Sequence, residues 1–250
     1  MFFKNKAVTL DCYTSNVDVF HSAPIKSGIH FYPEWWKTLP ISGSDWKNTS
    51  IENGNLTGTN NMKGCIGFTN LHKKSFVIPM WCEWRIVIDK IGNEGCMYQF
   101  ADLVSEAHAH PYIEHNNHYS AAEYQHLKIH SPWVFICNEP ITWSFLPPVW
   151  HTLGEFDQVN MMMGVVDFYN QGSTNINMFL KRKEDISHIE FPFNFPLAYI
   201  IPHTEKKVVV KNHLVSPEEL SKISAQRGLK RNLFFSNAYH KYMKYKMEGK

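Results

Sequence analysis

A chain of 250 residues with 44% hydrophobic and 19% charged side chains can bury a sizeable core, which excludes disorder throughout. Lys plus Arg 25 against Asp plus Glu 23 leaves a net charge of +2, too small to mark the whole chain as a nucleic-acid or membrane binder. No apolar run approaches the roughly 20 residues of a membrane helix, the start MFFKNKAVTLDCY lacks a long apolar signal core, and five cysteines without CxxC spacing argue against a zinc ribbon or a disulfide framework.

After a short apolar start, residues 21–61 are rich in Ser, Gly, Pro, Asn and Thr and carry one aromatic island, Phe31-Tyr-Pro-Glu-Trp-Trp-Lys37. Pro33 followed by Glu34 predicts a single helical turn there. Ile41 to Asn61 reads as loop, with one hairpin at the turn dipeptide Asn53-Gly54. Strands are then expected at 64–68, 75–89, 96–101, 127–137, 141–146, 161–169, 174–181, 196–201 and 206–214. The clearest is Ser75 to Asp89, where Phe76, Ile78, Met80, Cys82, Trp84, Ile86 and Ile88 alternate with a second set that includes Glu83 and Arg85. A Glu and an Arg there suggest an ion pair on a half-buried sheet face.

Short spacing with turn residues between, and no amphipathic helices inserted, predicts a mainly β fold: an antiparallel β-sandwich or jelly-roll-like barrel. Ser216-Pro217-Glu218-Glu219 supplies an N-cap, a Pro at the first helical position and an acidic first turn, so a helix to about Gln226 is expected. Gly228 is expected to end it and a second helix to run from Lys230 to about Met247. The division that results is one β-rich domain over 1–215, with a His-rich insertion at 101–126, and a helical pair over 216–250.

Chemistry is concentrated in SEAHAHPYIEHNNHY. His108, His110 and Glu114 fall at the H-x-H-x3-E spacing of a cupin-type metal motif, a set that could hold Fe, Mn or Zn. The downstream partner of that motif is missing, and His151, His203 or His213 would have to complete the site. There is no G-x-S-x-G elbow and no glycine-rich phosphate loop. Trp35 and Trp36, beside Pro33, are candidates for a partner contact, as are Lys241 and Tyr242 on the basic final helix. That helix offers a nucleic-acid alternative through Lys230 to Lys250.

The blocks FYPEWWKTLP (31–40), NMKGCIGFTNLHKKSFVIPMWCEWRI (61–86) and GVVDFY…INMFL…FPLAYIIP (164–202) resemble a family of uncharacterised proteins encoded by tailed bacteriophages, especially marine ones, and by some bacteria. The resemblance spans residues 20–215 and carries over no catalytic residue. It implies a viral or bacterial setting, in the cytoplasm of an infected cell or in the virion, without secretion. The function expected first is a non-catalytic binding or assembly protein with a protein partner or self-association and no membrane role. The alternative is a small metal-dependent, oxygenase-type enzyme built on His108, His110 and Glu114.

Overall fold

The computed structural model describes residues 7–39, 50–52, 55–57, 62–88, 96–100, 107–109, 123–151, 158–181 and 187–247. The chain opens with β1 (Val8–Thr14) and α1 (Val17–Ser22), then β2 (Lys26–Ser27), a 3-10 turn (Gly28–Phe31) and α2 (Glu34–Thr38). The hairpin β3 (Ser50–Glu52) and β4 (Asn55–Thr57) leads to a 3-10 turn (Met62–Gly64) and α3 (Ile66–Lys74). Next come β5 (Phe76–Pro79), β6 (Trp84–Ile88), β7 (Cys96–Phe100), β8 (Ala107–Ala109) and β9 (Tyr124–Cys137). β10 (Trp143–Leu146) and a 3-10 turn (Val149–His151) precede β11 (Val159–Met161), β12 (Gly164–Val166) and β13 (Ser173–Lys181). The last elements are β14 (Ser187–Phe191), β15 (Pro196–Pro202), β16 (Val208–Leu214) and α4 (Pro217–Met247).

The protein is mainly β, and its strands form several sheets, with no closed barrel among the described residues. One sheet runs β11-β13-β9-β1-β16 with β8 also paired to β9, a second runs β12-β10-β15-β5-β2, and a third is β14-β6-β7. Among the described residues the pairings are antiparallel except β1 with β16, which lie parallel from Val8↔Val208 to Thr14↔Leu214. The inner faces meet in one core that takes Leu10, Cys12 and Phe135 from the first sheet, Ile78, Trp143 and Ile200 from the second, and Trp84, Ile86 and Phe191 from the third. Phe168 bridges the first two, stacking on Phe135 at 4.8 Å and meeting Trp143 at 5.7 Å.

The sequence in β1, VTLDCYT, explains its place. Val8, Leu10, Cys12 and Thr14 are buried while the residues between are half-buried, the period of a strand with one face on the core. Burial raises the Cys12 thiol well above its ordinary range, with Asp11 adding to the effect, so this thiol is inert.

Several expectations need correction. The segment expected as a strand at 64–68 is the start of α3, because Phe68 and His72 are the buried pair, four residues apart, which is helical and not strand spacing. The strand expected over 75–89 divides. Phe76–Pro79 joins the second sheet and Trp84–Ile88 the third, and between them the Met80 N–H donates to the Phe195 carbonyl at 2.6 Å. Arg85 pairs across the strands with Glu190 at 3.1 Å rather than with Glu83. Both partners are mostly exposed, so the pair contributes at most about 1 kcal/mol.

The C-terminal pair is a single helix that runs through Gly228. One glycine costs about 1 kcal/mol relative to Ala, and the flanking Ala225, Gln226, Arg227, Leu229 and Lys230 are all good helix formers. Its start follows the capping pattern: the Glu219 N–H donates to Ser216 Oγ at 3.2 Å. The helix is tied through Arg227 to the turn that leads into β13, since its Nη1 donates to the Tyr169 carbonyl at 2.8 Å. Gly172 makes room for it, since a Cβ there would lie 2.9 Å from the Arg227 side chain.

Candidate functional site

The second sheet is buried on both faces at β15, where Pro196 to Ile200 are all buried. On its outer face Val77, Tyr199 and Phe31 form a small second core, with Leu146 packed against it. α3 lies over this core and presents Phe68 and His72 inward. The close approach depends on Gly28, whose N–H donates to the Ser75 carbonyl at 2.9 Å, and where a Cβ would stand 2.7 Å from the His72 carbonyl oxygen. Gly28 thus lets the turn Gly28–Phe31 press against the end of α3 and deliver the Phe31 carbonyl to the sheet.

Three groups converge on the Tyr199 hydroxyl. His151 Nε2 lies 2.8 Å away, the Phe31 carbonyl 3.2 Å and His72 Nε2 3.4 Å. Main-chain carbonyls only accept, so His72 Nδ1, 3.0 Å from the Phe68 carbonyl, carries the proton and its Nε2 faces Tyr199 as a bare acceptor. With the hydroxyl proton directed to Phe31 or His72, His151 is the donor to the phenol oxygen. The Phe31 carbonyl and His72 Nε2 compete for that single proton, so the network is made of neutral groups sharing one hydroxyl.

Electrostatics hold it there. Burial lowers the His151 pKa to about 4, helped by the charge that His72 would carry and by Lys37, and opposed by a hydrogen bond to the Phe31 main chain. Burial likewise lowers that of His72 and raises that of the Tyr199 phenol. Charging either imidazole would place a cation in a low-dielectric box with no carboxylate partner in the network.

Outside this buried centre the aromatic rings continue to the surface. Trp36 stacks on Tyr32 at 3.9 Å and Tyr32 on His72 at 4.3 Å, forming a three-ring column, and Lys63 Nζ sits 5.3 Å from the Trp36 ring. Phe68 meets Trp150 edge-on at 5.1 Å and Trp35 at 5.6 Å. The indole N–H of Trp35 donates to the Trp150 carbonyl at 3.1 Å, and that of Trp36 to the Met62 carbonyl at 3.3 Å. Trp35 and Trp36 are half-buried and Trp150 is exposed. The aromatic island read as a contact element is therefore the rim of this layer, held by main-chain hydrogen bonds.

The other candidates fall elsewhere. His108 lies in β8 with its backbone in register with Lys128, while His110 and Glu114 lie outside the described residues. Among the described residues no group of three His, Cys, Asp or Glu could hold a metal ion. Lys241 is exposed on α4, and Tyr242 occupies the next position of the same helix. His203 and His213, weighed as completing ligands, have other partners. His213 Nε2 is 2.8 Å from Asp11 Oδ1 and stacks on Tyr13, while His203 lies 2.7 Å from Ser144 Oγ and 2.9 Å from Thr142 Oγ1. The Ser144–His203 pair is no nucleophile dyad of the usual kind, since a neutral hydroxyl stands where a carboxylate would orient the imidazole.

Sequence reasoning missed Tyr199 and His72 and raised His151 only as a metal ligand. The signal for His72 is the pair Phe68 and His72 at helical spacing next to Leu71. For Tyr199 it is the unbroken apolar run PLAYII, which calls for cover on both faces.

Fold and site together define a multi-sheet β protein with a helix-covered outer face that ends in an aromatic rim. No protein-family model, curated protein or solved structure matches the chain. No helix among the described residues is long and apolar enough to cross a membrane.

Proposed function

We propose that the chain is a non-catalytic binding or assembly protein that presents Trp35, Trp36 and Trp150 to a protein partner. The observation that carries this reading is the anchoring of the rim: two of the three indole N–H groups are tied to main-chain carbonyls, and the ring faces stay half-buried or exposed. Large aromatic side chains whose rotamers are already fixed lose little entropy on docking, which is what makes them anchors at interfaces. The groups with the most shifted acidities do not compete with this reading as catalysts. Tyr199 is 1% exposed and His72 0%; the hydroxyl is shared between the Phe31 carbonyl and His72, and His72 Nδ1 is engaged with the Phe68 carbonyl. The resemblance of three sequence blocks to phage-encoded proteins supports a viral setting for such an assembly role.

The test is capture of the partner by cross-linking from producing cells, followed by calorimetry with both proteins purified. A Trp35→Ala, Trp150→Ala variant should bind at least about 30-fold more weakly, the effect of about 2 kcal/mol from one anchor residue. Affinity unchanged in a variant that keeps its near-UV circular dichroism would refute the proposal.

A further inference from the structure

β16 is an outer strand of the first sheet, paired with β1 on one side and, among the described residues, with no strand on the other. Its seven residues make it the longest such edge among them, since the other outer strands span two to five. The parallel register fixes which way its main chain points. The Val8 N–H donates to the Lys207 carbonyl at 2.9 Å and the Val215 N–H to the Thr14 carbonyl at 3.0 Å, so the odd-numbered residues of β16 turn their main-chain groups to β1. The N–H and C=O groups of Val208, Val210, Asn212 and Leu214 therefore face the opposite edge.

Side chains show the same opening. Val8, Leu10 and Cys12 on β1 are fully buried, whereas Val208 and Val210, which face the same core one strand further out, are only half-buried. Leu214 is 40% exposed. The segment after α1 meets β16 on its core side, where the Asn212 side-chain amide takes both main-chain groups of Ile25, a contact that uses the side chain and not the main chain of the strand.

From these facts we infer that the open edge of β16 is a docking site for an extended acidic segment of a partner protein, which adds to the first sheet as a further strand, on a surface separate from the aromatic rim. The donors and acceptors along this edge repeat at about 6.6 Å, two residues of strand. An extended peptide offers main-chain groups at the same repeat, which a nucleic-acid backbone or a lipid surface does not.

Charge narrows the partner. From Lys206 to Val215 the chain has three lysines, one histidine and no carboxylate. Lys207 and Lys211 are exposed, and Asp11, which faces β16 from β1, is taken by His213 at 2.8 Å. A second copy paired along the whole strand would bring three more lysines and no carboxylate to the joint, and lysines on an edge strand guard against such self-pairing. Lys207 and Lys211 stand on the outer face and Val208 and Val210 on the core face, so the matching segment alternates acidic and apolar residues, the acids forming cross-strand pairs with the lysines.

The experiment is amide hydrogen exchange of the full chain, read residue by residue by NMR, alone and with a capped peptide of about nine residues that alternates valine and glutamate, enough to span the seven of β16. In the free protein the amides bonded to β1 (Val209, Lys211, His213) should exchange at least about 10-fold more slowly than the four at the open edge. Peptide at about 1 mM should slow those four at least about 5-fold. The same peptide with every amide N-methylated keeps its charge but donates nothing, and should slow none of them. Val210→Pro removes one edge N–H and no bond to β1, and should weaken peptide binding at least about 10-fold; Lys211→Glu should weaken it about 3-fold. Near-UV circular dichroism checks that both variants keep their fold. Edge amides already slow in the free protein, which would mean that a second copy or another part of the chain holds the edge, would overturn the inference. So would the absence of slowing by the peptide, or equal slowing by its N-methylated form.

Discussion

Acid should loosen the layer around Tyr199, and His151 sets the size of the effect. Its pKa is about 4 in the folded chain against 6.5 for the ordinary imidazole, so between these values the unfolded chain holds a proton that the folded chain does not. Folding stability therefore rises with pH across this window at about 1.4 kcal/mol per pH unit. The contribution is fully present above pH 6.5, falls as pH drops, and is lost once pH passes below about 4. Integration gives roughly 3 kcal/mol, and about 2 kcal/mol is the figure to expect between pH 7.5 and 4.5, because the ring is only partly buried and solvent screens it. Replacing His151 by Gln removes the titrating group and leaves an amide that can still donate to the Tyr199 oxygen. Urea unfolding at the two pH values isolates the term, since carboxylates elsewhere cancel in the comparison. The wild-type protein should lose about 2 kcal/mol more than the His151→Gln variant on acidification, while the variant should start about 1 kcal/mol lower at pH 7.5. Equal losses in the two proteins would refute the account of a neutral, desolvated imidazole.

Four further outcomes follow from the same geometry. Tyr199→Phe leaves the imidazoles and the Phe31 carbonyl without their shared hydroxyl and should cost about 2 kcal/mol in urea unfolding at neutral pH. Gly28→Ala drives a methyl group against the His72 main chain, and should cost about 1–3 kcal/mol and weaken the near-UV dichroism of the stacked rings. Asn212→Ala strips the side chain that accepts from the Ile25 N–H at 3.2 Å and donates to the Ile25 carbonyl at 3.0 Å; two part-buried main-chain groups lose their partners, for a loss of about 2–3 kcal/mol in the same assay. Gly228→Ala meets open space and should raise stability by up to about 1 kcal/mol, read as a higher thermal midpoint at 222 nm. No change there would place the helix end before residue 228.

Much of the fold is legible in the residues themselves. The alternation in Trp84, Ile86 and in Ile176, Met178, Leu180 marks strands with one face on a core, and those residues are buried as expected. The cap at Ser216 and the turn dipeptide Asn53-Gly54 mark a helix start and a hairpin, and the strands on either side of that dipeptide pair as Glu52↔Asn55 and Ile51↔Leu56. Each of these signals is local, because periodicity and capping act within a few residues along the chain. The rim at Trp35 and Trp36 is legible for the same reason, as an aromatic island in a polar stretch.

The parallel pairing of β1 with β16, the burial of both faces of β15 and the meeting of Tyr199 with His72, 127 residues away, carry no local signal. A buried phenol and a buried imidazole are costly apart and stable together, so their identity makes sense only once α3 has settled over the outer face of the sheet. Local sequence determined most of the strands, the start of the C-terminal helix and the apolar faces, but not that Ile66–Lys74 is helical or that the run from Phe76 to Ile88 divides between two sheets. Tertiary packing decided which faces are covered, and by covering that one it turned His72, His151 and Tyr199 from scattered polar residues into a single neutral network.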